Sequence, residues 1–354
     1  MVYKVGIIGT GDFAHAHAQA LNAMPDRVCI VGAASPDQAQ GVAFCQKYDI
    51  PAHYTAANDL FAQAQPDIVH ICTPPTTHAP LAKLSLAAGA HVLCEKPLCG
   101  SLAALDELEQ VEQASGRTLS TIFQWRFGAA AQHYHKLITS GEFGDLRAVV
   151  CNTLWYRGDD YYAVPWRGNR EQSLGGTIMG HGIHLIDLML WLLPDWRDVY
   201  ARLGTFDYPI EVDNLAAALI GFGNGAFGNI ISSAVSPRQE TYLRLDFQKA
   251  TLEVRGLYQY DSDDWTLTPR DPADQGRWQV RETGRNEVGA QIRALLDSLD
   301  CGERPLVSGA EARRILDFMT ALHKSAYTDR RVERGSIGTD DPFYGSMHGK
   351  AVES

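Results

Sequence analysis

The chain has 354 residues, 45% hydrophobic and 21% charged, which gives enough length for two hydrophobic cores and the balance of a globular protein. Its formal net charge of −11 supplies no basic face, so nucleic acid and anionic membrane are excluded as expected partners, while nothing in the charge opposes a neutral sugar.

The first element is an apolar run, Val5-Gly6-Ile7-Ile8, of the kind buried on both faces of a parallel sheet. It leads directly into Gly9-Thr10-Gly11-Asp12-Phe13-Ala14, a G-x-G-x-x-A turn. In that pattern the first glycine permits a tight turn, the second lets backbone approach a pyrophosphate, and Ala14 lets the next helix pack close. Strand, turn and helix in this order predict a dinucleotide site with phosphate at the helix N-terminus. The bland alternative is an ordinary strand-to-helix turn. His15 and His17 follow on the helix and are expected at its surface or at a domain interface. A second strand, Cys29 to Ala34, ends at Ser35, where an acidic residue usually holds the adenosine ribose of NAD. No lysine or arginine lies between Arg27 and Lys47 to neutralise a 2′-phosphate, and Asp37 is near enough to accept ribose hydroxyls. The cofactor is therefore expected to be NAD or NADP, with the balance toward NAD.

A third strand, Ile68 to Cys72, closes on Thr73-Pro74-Pro75 with His78 just beyond. The two prolines stiffen the turn, either to border a ligand or only to end the strand. The fourth, Val92-Leu93-Cys94, delivers Glu95-Lys96-Pro97. A lysine at the carboxyl edge of a parallel strand can hydrogen-bond a substrate hydroxyl or carbonyl and stabilise the charge that develops there during hydride transfer. Lys96 is thus the leading catalytic candidate. Leu119 to Phe123 is read as the last strand of this half, and the dinucleotide-binding domain is drawn as residues 1–123.

From residue 124 to 354 the pattern changes to a second domain. Strand-like runs at Ala148–Trp155, Val199–Leu203, Asn214–Gly221, Phe227–Ala234 and Tyr242–Phe247 predict a largely antiparallel sheet, with Asn224-Gly225 as a hairpin turn. Helices are expected at Asn286–Leu299 and Ser308–Tyr327, where Ser308 and Glu311 have capping-box spacing. The tail from Arg330 shows no period. Tyr156, Arg157, Tyr161, Tyr162, Trp166 and Arg167 crowd one stretch; aromatic faces and guanidinium forks suit a carbohydrate, and the alternative is that the aromatics pack within the sheet. Gly175-Gly176 then opens a helical pattern carrying His181, His184 and Asp187 three apart. That spacing brings metal-type ligands together on a helix, yet no fourth ligand or water-activating glutamate accompanies them, and no metal is expected.

The seven cysteines, Cys29, Cys45, Cys72, Cys94, Cys99, Cys151 and Cys301, form no C-x-x-C pair and read as reduced, buried packing residues. The N-terminus enters a strand without a basic or apolar leader, and no membrane-length run occurs. A cytoplasmic protein without a membrane partner is the expectation.

In their order, the glycine fingerprint, Thr73-Pro74 with His78, Glu95-Lys96-Pro97, Gly175-Gly176 and Gly182-Ile183-His184-Leu185-Ile186-Asp187 resemble the Gfo/Idh/MocA family of glucose-fructose oxidoreductase and inositol dehydrogenase. The resemblance spans most of the chain, from Lys4 to Tyr327. It implies an α/β fold with an N-terminal Rossmann domain, a doubly wound parallel sheet. It further implies a C-terminal α+β domain on a large open, mostly antiparallel sheet, a sugar or polyol site between the two, and a homodimer or homotetramer. The implied chemistry is NAD(P)-dependent hydride transfer with a hydroxyl-bearing carbon of a sugar, polyol or related carbohydrate. Lys96 would bind the oxygen and His184, the histidine of the family's D-x-x-x-H pattern, would take the proton. Glu95 would position the nicotinamide ribose, Gln124 and Arg126 would lie at the nicotinamide end, and Trp166 and Arg167 near the cofactor. The pattern's aspartate falls on Gly180, so the usual lysine-aspartate-histidine set does not carry over whole; His181 and Asp187 are candidates to assist. Two further readings stand beside this one. A glycosidase acting through transient oxidation by tightly held NAD gains from the missing aspartate, and a non-catalytic cofactor-binding regulator is opposed by the presence of Lys96 and His184.

Overall fold

A computed structural model describes residues 2–349. Internal packing divides the chain into two units, Met1–Ile122 with Val288–Arg314 and Phe123–Glu287 with Ile315–Ser354. The sequence reading assigned everything after residue 123 to the second unit. The structure returns Val288–Arg314 to the first, because the helix Val288–Cys301 buries Ile292, Leu295 and Leu296 in the same core as Ala14, Ala18 and Leu21. At its rim Arg27 pairs with Asp297 and Asp300, each at 2.9 Å.

The first unit is a six-stranded parallel sheet: β1 (Tyr3–Ile8), β2 (Val28–Ala34), β3 (His53–Tyr54), β4 (Ile68–Ile71), β5 (His91–Cys94) and β6 (Leu119–Thr121). The order is β3-β2-β1-β4-β5-β6 and every pair is parallel. Strand order reverses between β1 and β4, and ligands of such sheets bind at the carboxyl ends beside that reversal. A helix fills each of the five connections, with Asp37 capping Gln38–Tyr48 and Ser101 capping Leu102–Ser115. The two-residue β3 is too short for any alternation to announce it.

The second unit holds β7 (Leu146–Tyr156), β8 (Trp196–Gly204), β9 (Leu215–Phe222), β10 (Phe227–Ser233), β11 (Val235–Phe247), β12 (Ala250–Gly256), β13 (Trp265–Pro269) and β14 (Val332–Glu333). They form one sheet in the order β13-β12-β11-β7-β10-β9-β8-β14. Only β7 and β10 run parallel; the other six pairings are antiparallel. The expected Asn224-Gly225 hairpin joins β9 to β10, with Gly225 at φ 88° and Asn224 Oδ1 accepting the Ala226 N–H at 3.0 Å. Strands β12, β13 and β14 were not expected. Along one face of the sheet stand exposed apolar side chains, above all Leu219 (61% exposed) and Phe227 (70% exposed).

All seven cysteines are free, but Cys29 and Cys301 are exposed, contrary to the expectation that all are buried. Among the described residues, no helix is long and apolar enough to cross a membrane.

Candidate functional site

In the first unit β1 ends in the glycine turn. Gly9 has φ +93°, and a Cβ there would lie 2.6 Å from the Cys72 carbonyl oxygen, so both conformation and space require glycine. A Cβ on Gly11 would meet no atom within 4 Å, which leaves the backbone open to a ligand. No side chain caps the helix Asp12–Asn22, and Ala14 is fully buried against the sheet. An anion at this helix start meets the positive end of the dipole, so the turn fits the pyrophosphate of a dinucleotide.

Thr10 and Ser35 turn inward. Thr10 Oγ1 donates to Ser35 Oγ at 3.1 Å, and Ser35 Oγ donates to the Asp37 carbonyl at 3.1 Å, tying the ends of β1 and β2 together. Asp37, expected to receive ribose hydroxyls, accepts the Gln40 N–H at 2.9 Å as a helix cap. His78 corrects a second expectation. It is buried, with Nδ1 2.7 Å from the Pro97 carbonyl oxygen and Nε2 2.7 Å from that of Thr73, so it ties two strand-end turns together and presents no ring nitrogen to a cofactor. Pro74 and Pro75 lead into a single turn whose Thr77 hydroxyl donates to Thr73 Oγ1 at 2.6 Å.

At the end of β5, Lys96 is half-buried with its ammonium 5.7 Å from the centroid of the exposed Phe13 ring. Burial lowers its pKa below the usual lysine range and Glu95 opposes that shift. Glu95 was expected to position the nicotinamide ribose. It is buried, with Oε1 3.1 Å from His17 Nε2 and Oε2 accepting the Lys96 backbone N–H at 3.2 Å. His17 lies in the interior, correcting its expected place at a surface, while half-buried His15 packs on Phe44 and Tyr48.

In the second unit the segment Gln124–Phe127 forms a short turn and Ile183–Leu192 a helix that is apolar but for His184 and Asp187. Arg126 and Asp187 are 1% and 0% exposed and pair through two bonds, Nε to Oδ2 at 2.8 Å and Nη2 to Oδ1 at 2.5 Å. Arg126, expected at the nicotinamide end, and Asp187, expected to assist the base, thus hold each other. Gln124 Oε1 is buried and finds no hydrogen-bond partner among the described residues, leaving an acceptor for a ligand N–H. Trp125, one residue on, stacks on His184 with centroids 6.4 Å apart and planes 16° from parallel.

The helix does not start where the glycine signal suggested. Residues Ile178–Gly182 form a π-turn, so His181, His184 and Asp187 do not share one regular α-helical face. Among the described residues no group of three metal-type side chains converges. Asp213, just before β9, holds the turn: its Oδ1 accepts the Gly176 N–H at 3.1 Å, and its Oδ2 the Ile178 N–H at 3.3 Å. A Cβ on Gly176 would come within 1.9 Å of the Asp213 carbonyl oxygen. A Cβ on Gly180 would meet nothing within 4 Å.

His181 is buried among Trp155 and Tyr161, its Nε2 accepting from Arg157 Nε at 3.4 Å and its Nδ1 3.2 Å from Thr177 Oγ1. An arginine N–H at Nε2 makes that nitrogen the acceptor, so Nδ1 carries the hydrogen. Arg157 stacks on Trp155, Tyr161 and Tyr258, and Arg167 lies 4.4 Å from the Tyr161 centroid and 5.5 Å from that of Trp166. Tyr162 packs on Tyr208, and Tyr156 at the end of β7 is exposed. The aromatic stretch is therefore a guanidinium-aromatic cluster outside the sheet interior. Thr177, Asp213, His17 and His70 had no motif to mark them; their parts follow from long-range packing.

The family model described as an oxidoreductase family with NAD-binding Rossmann fold matches residues 3–123, and a GFO/IDH/MocA C-terminal domain model matches residues 131–256. The chain is 25% identical over 357 residues to D-glucoside 3-dehydrogenase of Escherichia coli, covering 93% of this chain and 97% of that one. It is 27% identical over 308 residues to D-xylose 1-dehydrogenase (NADP(+)) 2 of Haloferax volcanii, covering 85% and 90%. The fold matches the WlbA dehydrogenase from Bordetella pertussis, solved with NADH and UDP-GlcNAcA, with a TM-score of 0.85 at 24% identity, covering 96% of this chain and all of that one.

The Arg126–Asp187 pair yields a stability prediction. Asp187→Ala strands a buried guanidinium and is expected to cost about 3–5 kcal/mol in denaturant unfolding, while the double change Arg126→Met with Asp187→Leu costs much less. A single-variant loss below about 1 kcal/mol would show that the pair is not a buried charge contact.

Proposed function

The chain belongs to the Gfo/Idh/MocA oxidoreductase family, and on that premise we propose that Lys96 and His184 are the groups through which it transfers hydride between NAD(P) and a hydroxyl-bearing carbon of a sugar or polyol. The observation that carries the proposal is the Lys96 ammonium over Phe13, which brings a strand-end cation to the glycine turn that fits the cofactor. The nicotinamide, when bound, supplies the hydride acceptor or donor. Lys96 holds its proton less tightly than an exposed lysine because burial penalises the charge, so it is a strong hydrogen-bond donor to an oxygen on its way from hydroxyl to carbonyl.

His184 rather than His181 takes the hydroxyl proton. Both His181 nitrogens are engaged, one as acceptor from Arg157, which leaves it no lone pair for abstraction. The His184 ring lies nearly parallel to that of Trp125, with centroids 6.4 Å apart, an arrangement that favours one ring orientation before substrate arrives. Sugar recognition rests on Tyr161, Tyr162, Arg157, Trp166 and Arg167, whose ring faces and N–H forks suit C–H surfaces and hydroxyls. The acceptor left on Gln124 fits the carboxamide N–H of the nicotinamide.

We further read the open sheet face around Leu219 and Phe227 as a self-association surface, since apolar side chains this exposed on adjacent strands are ordinarily covered. Phe227→Glu with Leu219→Lys should shift the sedimentation profile to monomer. A wild-type protein already monomeric at micromolar concentration would end that reading.

With NAD present, the wild-type protein should reduce the cofactor with at least one aldose, glycoside or polyol from a panel. Lys96→Ala should lower turnover by more than about tenfold with cofactor affinity within a few-fold. His184→Ala should lower it by about 10² or more and abolish the rise of rate with pH, whereas His181→Ala should change it by less than about tenfold. Equal losses in the two histidine variants would refute the division of roles, and silence across the panel with cofactor bound would refute the reaction. In direct titration NAD should bind more tightly than NADP, since no lysine or arginine lies between Arg27 and Lys47 to neutralise a 2′-phosphate. A preference for NADP would reverse this assignment.

A further inference from the structure

The first unit contains a buried polar cluster that the proposed reaction leaves without a role. The helix leaving the glycine turn buries His17 completely, β4 buries His70, and the end of β5 buries Glu95. His17 Nε2 lies 3.1 Å from Glu95 Oε1, and His17 Nδ1 lies 3.0 Å from His70 Nδ1. The other carboxylate oxygen of Glu95 accepts the backbone N–H of Lys96 at 3.2 Å. A line of four consecutive groups therefore runs His70, His17, Glu95, Lys96.

Hydrogen counting limits its states. An ionised Glu95 only accepts, so His17 Nε2 carries a hydrogen. The contact between the two Nδ1 atoms holds one more, donated either by His70 to a neutral His17 or by a His17 imidazolium to a neutral His70. The carboxylate selects the second state, because a cation next to it in the interior is stabilised far more than in water. The groups facing this cluster are His70 and Cys72 from β4 and its end, Cys94, Glu95 and Lys96 from β5 and its end, and His78 from the neighbouring helix. Burial works against charge on His17, yet Cys72 and Glu95 outweigh it and lift the pKa to about 10. Burial first, and then the charge on His17, hold His70 well below the usual range.

We propose that His17 is the counter-ion of Glu95, that His70 holds it in place, and that the pair serves Lys96 by weakening the hold of the adjacent carboxylate on its ammonium proton. The proposal rests on the reading of Lys96 as the group that meets the substrate oxygen. His17 is thereby a positioning residue. With Glu95 neutralised, Lys96 binds its proton less tightly than a lysine beside an uncompensated carboxylate, and it answers more readily to the changing charge on the substrate oxygen.

Two measurements test this on the full chain with NAD bound. The first is the ¹⁵N chemical shift of the His17 ring at pH 7.5, expected to be that of an imidazolium; a neutral ring overturns the proposal whatever the enzyme's activity. The second is the pH profile of kcat/KM. Loss of the Lys96 proton gives a descending alkaline limb, and His17→Gln keeps a donor to Glu95 while removing the charge. That limb should then move to higher pH by about one unit or more, with cofactor affinity within a few-fold. An unmoved limb in a folded His17→Gln protein overturns the proposal. If His17 is cationic but Lys96→Ala turns over normally, the counter-ion assignment stands and the role given to Lys96 fails. Should His17→Gln not fold, thermal melting of the wild type decides: a histidine whose folded pKa is raised contributes fully below its unfolded value of 6.5 and loses that contribution as pH climbs through about 10. Melting temperatures level across that window would overturn the assignment.

Discussion

The second unit is organised around one buried ion pair. Arg126 and Asp187 are both removed from water, and neither would be tolerated there without the other, since each desolvated charge costs several kcal/mol and only a well-directed partner offsets it. The two bonds fix the turn Gln124–Phe127 against the helix Ile183–Leu192 in one register. That register sets Trp125 on the ring of His184 and leaves the side chain of Gln124 with an unspent acceptor. A hydrophobic pair in the same place would hold the two segments together, but it would not specify the rotation of one about the other as a planar fork does.

The first unit solves a related problem with different groups. Its sheet supplies apolar strands throughout, and the polar side chains gather where the strands end. His78 joins the turns after β4 and β5, the Thr10–Ser35 contact joins those after β1 and β2, and Glu95 is drawn inward by His17. The outward-facing surface is thereby left to Phe13, Lys96 and the backbone of the glycine turn. Several residues that sequence patterns associate with ligands build the rim on which the ligand-facing groups stand.

This division explains what could be read in advance. The parallel half was legible because buried strands are continuous apolar runs and the glycine turn has a steric reason at each position. The antiparallel strands β7 to β11 followed from alternation and one hairpin turn. Strand β12 alternates equally well, with Leu252 and Val254 buried between Thr251 and Glu253, and could have been found; β3 and β14 are two residues each and carry no period. The site divided along another line. Lys96 follows β5 and His184 lies on the helix Ile183–Leu192, but the long-range partners of Arg126, Asp187, Glu95 and His17 lie between 53 and 78 residues away in sequence. No local pattern reports such pairings. Nor does the three-residue spacing from His181 to Asp187 reveal that the chain is wound as a π-turn over its first part.

Gly180 sits in that π-turn with free space where a side chain would begin. The first atom of a side chain added at this point therefore displaces no packed atom. Position 180 is therefore separable from the fold, and acid, amide and hydroxyl side chains can be exchanged there one at a time while the Arg126–Asp187 register stays intact. For protein engineering this makes it an entry point for a focused library in which electrostatics beside His181 vary while the scaffold does not. For evolution it means that acquiring or losing a carboxylate here is a short, reversible step.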